Sequence, residues 1–177
     1  MNNWLEIFIP IFVVTFSIIY IAWNFVRNKK LRNNILVKIF SEVEITHLFK
    51  ENKITLSLLF LGTLVAVIYG MHPPTYNFLL PIEVLDRPGI NYTGLFILKL
   101  SIMFLVIVNI QCDLKILDKL QKNNMEPFVS RVNLLLTASI TFMLIGLFIT
   151  ISSIGTLLIA IFASIHAKTV LNKSQPF

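Results

Sequence analysis

The stretch that decides the fold is Val132–Ala167, VNLLLTASITFMLIGLFITISSIGTLLIAIFASIHA, flanked by Arg131 and Lys168 with no charged residue between them. As one straight helix it would run about 54 Å at ~1.5 Å per residue. A bilayer's hydrocarbon core is only about 30 Å thick. The stretch is therefore either one overlong helix, giving four spans in all, or two short spans folded back within residues 150–155, giving five. Against the fold-back, each half is barely long enough to span and Ser152-Ser153-Ile154-Gly155 is only a mild turn signal; the distribution of cations favours the fold-back.

Working outward, three more apolar blocks come before it. With the fold-back, the spans fall at about residues 5–25, 54–71, 93–111, 132–148 and 152–166. The sequence predicts an all-α polytopic membrane bundle, with residues 1–177 forming one integral-membrane domain. The hydrophobic fraction of 56% and the absence of a charged face in blocks such as 54–71 argue against a soluble bundle. Met1–Trp23 lacks a basic leader and a small-residue cleavage site, so it is read as a retained span. Trp4 and Trp23 mark its ends at headgroup level, and Pro10 is expected to kink it.

The net charge of +6 is carried beside the spans, which points to anionic headgroups rather than nucleic acid. Arg27, Lys29, Lys30, Arg32, Lys38, Lys50 and Lys53 fill the first connector. Within it Ile35, Leu36, Ile39, Phe40 and Val43 recur at helical spacing, as in a helix lying on a membrane surface. Lys115, Lys119, Lys122, Arg131, Lys168 and Lys173 follow in later connectors and the tail. With five spans these all lie on the face of the first connector and only Arg87 lies opposite, so the positive-inside rule places the amino terminus outside and the carboxy terminus inside. With four spans Lys168 and Lys173 would cross over, weakening the asymmetry.

Two stripes of small residues repeat every fourth position: Gly62, Ala66 and Gly70 in the second span, and Thr156, Ala160 and Ser164 in the fifth. Such stripes let helix backbones approach closely, within the chain or against another subunit. The connector 72–92 holds His72, Pro73, Pro74, Pro81, Pro88 and Gly89 as helix breakers. Phe78, Leu79, Leu80, Ile82, Val84 and Leu85 make it unusually apolar, as if covered by the interface or a neighbour. Asn91-Tyr92-Thr93 matches a glycosylation sequon abutting the third span. Helix is expected to run on past that span through Asp113–Leu120, with Pro127 marking a turn before Arg131.

Lys99 is the one charge inside a span, placed within two turns of its outer end. Such a residue is a functional candidate, against the simpler reading of a lysine whose stem carries its ammonium to the interface or to a neighbouring subunit's carboxylate, with Glu6, Glu83 and Asp86 of this chain on the same outer side and able to approach it. The histidines, His47, His72 and His166, offer no haem pair, since His72 and His166 fall at opposite membrane edges. Met71-His72 supplies two adjacent groups suited to copper, too few to make a site. The single cysteine, Cys112, excludes an internal disulfide. There is no glycine-rich phosphate loop, HExxH or GxSxG, so neither catalysis nor a bound cofactor or metal is expected.

Two resemblances cover short stretches. Glu126-Pro127-Phe128, followed by Arg131 and a double apolar block, resembles the end of isoprenylcysteine methyltransferase-type membrane enzymes and implies a degenerate methyltransferase-like protein. Val132-Asn133 stands where that family has His-Pro. Tyr92-Thr93-Gly94 running into Leu98-Lys99-Leu100 is similar to one helix of CopD-type copper-resistance membrane proteins, although matching metal-ligand histidines are absent. The leading expectation is a non-catalytic accessory subunit of a larger membrane complex. A small permease for a metal ion or solute, using Lys99 and His72, is the alternative.

Overall fold

The computed structural model describes residues 3–32, 53–71, 79–121 and 125–174. Five helices follow one another: α1 (Asn3–Arg32), α2 (Lys53–Met71), α3 (Pro88–Gln121), α4 (Met125–Ile151) and α5 (Ile154–Ser174). Each contains an apolar window long enough to cross a bilayer, so the chain is a multi-pass membrane protein with an all-α bundle. The amphipathic segment expected over residues 35–43 lies outside the described residues, as do His47 and His72.

The helices overrun the expected spans. Pro88 and Gly89 do not break helix but open α3, and Pro127 is the third residue of α4 rather than a turn. The first four N–H groups of a helix have no partner within it, so proline's missing donor costs little there. Of the long apolar stretch, the first half is lengthened at its start and the second, α5, runs on past His166 to Ser174, so both are long enough to span.

Helix α4 is the hub, packing against all four others. In its apolar window 56% of the residues are buried, against 17% for α5, which lies at the periphery. Its buried positions, Val132, Leu136, Ile140, Met143, Leu144, Leu147 and Ile151, recur at helical spacing and form the central seam. From α1, Ile9, Val13, Phe16 and Tyr20 join the same core, as do Leu59, Val65, Ala66 and Tyr69 of α2 and Leu95, Leu98, Leu105 and Val108 of α3.

Helices α3 and α4 approach closely through their glycines. A methyl group built on Gly94 would lie 2.5 Å from the Thr150 backbone nitrogen and 2.8 Å from the Gly146 carbonyl oxygen. One on Gly146 would lie 3.0 Å from the Leu98 nitrogen. With side chains removed from both surfaces, the backbones meet directly and gain dispersion contact that lipid cannot match.

The fold-back is made at Ser152 and Ser153. Ser152 takes the left-handed conformation, φ 52°, which ends α4. Ser153 caps α5, its hydroxyl accepting from the Thr156 N–H at 3.3 Å. The turn is then held by the loop before α3. The Ile82 N–H donates to the Ser152 carbonyl at 2.7 Å, and the Ile154 N–H donates to the Leu80 carbonyl at 3.0 Å. The Ser152 hydroxyl lies 3.2 Å from the Leu85 carbonyl. Leu80 is itself left-handed, φ 55°, which aims its carbonyl at the start of α5. These bonds satisfy backbone groups that a break in a membrane helix leaves open.

Candidate functional site

The bundle has two unlike ends. One, the loop end, carries the 79–87 loop, the 152–153 turn and the exposed Glu83, Asp86 and Arg87. The other, the basic end, carries the exposed Lys53, Lys115, Arg131 and Lys168. Among the described residues, polar contacts tie helices together at the basic end. The Trp23 indole Nε1 donates to the Asp113 carboxylate at 2.5 Å, joining α1 to α3. Thr55 Oγ1 and His166 Nε2 meet at 3.0 Å, joining α2 to α5. Trp23→Phe removes the donor while keeping a ring, and is expected to lower stability by about 1 kcal/mol, read as a lower thermal midpoint in detergent.

At mid-depth the Ser17 and Thr63 hydroxyls meet at 2.7 Å between α1 and α2. Each also lies against a carbonyl one turn back, Val13 at 2.9 Å and Leu59 at 2.8 Å. Ser101, Asn109, Ser139, Thr141 and Thr150 donate to their own helices in the same way. This back-bonding lets polar side chains sit within lipid depth without an unpaired donor.

Of the two small-residue stripes, Gly62 and Ala66 are buried. A methyl on Gly62 would meet Leu144 Cδ2 at 2.5 Å, so this part of the stripe is filled by α4 of the same chain and speaks for no outside partner. Gly70 is half-buried at the loop end of α2. In α5, Thr156 and Ala160 are buried but Ser164 is exposed. The expected single face therefore splits, and the Ser164 hydroxyl turns back to the Ala160 carbonyl at 2.8 Å. The sequon asparagine, Asn91, is only 7% exposed and sits in the first turn of α3, with its Nδ2 donating to Asp86 Oδ1 at 2.8 Å. Folded, it presents no acceptor for a glycan.

Lys99 is exposed on the outside of the bundle, with its ammonium 5.6 Å from the centre of the Phe12 ring on α1. That geometry is a cation–π contact. Because α3 starts at Pro88, Lys99 lies eleven residues into it. At ~1.5 Å per residue this is about 16 Å along the axis from the start of α3. A lysine at the centre of a membrane helix costs about 2.5–3.5 kcal/mol on insertion scales, and the aromatic face offsets part of that. Sequence reading located the cation but missed its aromatic partner. A pairing of residues from two helices has no signature along the chain.

Among the described residues no three histidine, cysteine or acidic side chains lie close enough to share a metal ion. No family model, curated protein or solved structure matches the chain.

Proposed function

We propose that the chain is a non-catalytic accessory subunit of a larger integral-membrane complex, with its amino terminus outside and its carboxy terminus inside. The observation that carries this reading is the loop end. There the 79–87 loop is pinned by hydrogen bonds to the α4–α5 turn, yet it turns Leu80 and Val84 outward, 58% and 70% exposed. A fixed loop that presents apolar side chains is a surface suited to another protein. The cations at the basic end support the orientation, since positive charge favours the inner face.

The permease alternative is less well supported. Lys99 faces away from the bundle, and the interior along α4 is filled by Leu98, Leu105, Ile140, Met143, Leu144 and Leu147.

The test is native electrophoresis after gentle detergent extraction. The chain is expected to migrate in a stoichiometric assembly that loses mass when the chain is deleted. Recovery as a lone, monodisperse species from its own membrane would sink the reading. Val84→Glu is expected to leave the isolated chain's stability within about 0.5 kcal/mol, because the position is exposed, while releasing it from the assembly.

A further inference from the structure

We infer that the bridge between the 79–87 loop and the α4–α5 turn is a clasp poised to open, so that the loop end exchanges between a closed and an open form. This goes beyond the accessory-subunit reading and holds whether or not a partner docks there.

The first support is where the backbone strain lies. Among the described residues, Leu80 and Ser152 are the only ones other than glycine in the left-handed conformation, φ 55° and 52°. They are also the residues whose carbonyls accept the bridging bonds, Leu80 from the Ile154 N–H at 3.0 Å and Ser152 from the Ile82 N–H at 2.7 Å. The bonds that close the clasp are thus made by the residues that are strained in it. A left-handed residue with a side chain is disfavoured by about as much as a net hydrogen bond contributes, so the two nearly cancel. Leu80 does little to tip the balance by burial, since its side chain is exposed.

The second support is an unmet polar group at the other foot of the loop. Asn91 Nδ2 donates to Asp86, but Asn91 Oδ1 is buried with no hydrogen-bond partner, alone in this among the described side-chain nitrogens and oxygens. Burying that acceptor unpaired disfavours the closed form. Strain and the unmet acceptor therefore gather in one region, and such clustering marks segments that change conformation. Opening breaks the two bridging bonds and lets Leu80 return to ordinary backbone angles. Ser152 and Ser153 lie between the apolar windows of α4 and α5, at the end of the bundle, where water can take over the released groups. Holding the closed form are the Ser152 hydroxyl on the Leu85 carbonyl and Leu79 packed over Gly155. Whatever grips Leu80 and Val84 then selects between two forms.

The test is amide hydrogen exchange of the full chain in lipid nanodiscs, read at Ile82, Ile154 and the buried Leu144 of α4. Ile82 and Ile154 are expected to share one protection factor, lower than that of Leu144 by about a hundredfold or more, because they open without the core. Leu80→Gly takes the left-handed conformation freely and is expected to raise protection at both amides by about threefold, net of glycine's looser open form. Leu80→Val, β-branched, is expected to lower it by about threefold, with Leu144 unchanged in both variants. Protection at Ile82 and Ile154 equal to that of Leu144 overturns the inference, since the clasp then opens only with the whole bundle. Unequal protection of the two amides, or no ordering across glycine, leucine and valine, also overturns it. The wild-type pattern decides the matter if a variant fails to insert. None of these results depends on whether the chain migrates in an assembly, which native electrophoresis reads separately.

Discussion

Gly94→Leu is expected to destroy the native bundle, the largest effect of any single substitution in the apolar region. A side chain there meets the Thr150 nitrogen and the Gly146 carbonyl, and neither can move without displacing α4. Because α4 contacts every other helix, moving it disturbs the whole core. Even Gly94→Ala is expected to cost about 1–3 kcal/mol through overpacking. That outweighs the ~0.5–1 kcal/mol that alanine gains over glycine within a helix. Gly94→Leu should reach about 3 kcal/mol or more and appear as loss of a cooperative thermal transition in detergent. The control is Gly89→Ala in the same helix. A methyl there meets nothing within 4 Å, so stability should stay within about 0.5 kcal/mol. Equal behaviour of the two alanine variants would mean that α3 and α4 do not cross at Gly94 and Gly146.

Ser152→Val is expected to give the second-largest effect. Ser152 is fully buried and left-handed, a conformation that a β-branched residue adopts with particular difficulty. Valine also lacks the hydroxyl that reaches the Leu85 and Ile149 carbonyls. Together these should cost about 2–3 kcal/mol. Ser152→Ala keeps the backbone strain and loses only the hydroxyl, for about 1 kcal/mol. Ser152→Gly loses the hydroxyl but relieves the strain, and is expected to be near neutral. The ordering glycine, alanine, valine from most to least stable is the measurable signature. A flat series in thermal midpoints would show that the turn does not depend on Ser152.

How legible each feature was depended on which force sets it. The cations beside the greasy blocks favoured five spans over four, because only five put Lys168 and Lys173 on the same face as the other basic flanks. Lys99 stood out because charged groups avoid hydrocarbon. The ends of α3 and α4 were misplaced because proline reads as a breaker until its position in a helix is known. The turn at Ser152–Ser153 gave only a weak local signal, because the groups that hold it, Leu80, Ile82 and Leu85, lie in a loop far away in the chain.

The sequence by itself determined that this chain crosses a membrane, roughly where it does so, and which flanks carry positive charge. Only the tertiary structure decided which faces pack and which meet lipid: that Gly94 opposes Gly146, that Gly62 is filled from within, that Ser164 and Lys99 point outward. In water the inward face of a helix is marked by the switch from polar to apolar residues. In a bilayer the core and the solvent are both apolar, so that mark is lost and close packing, with a few hydrogen bonds between helices, sorts the faces.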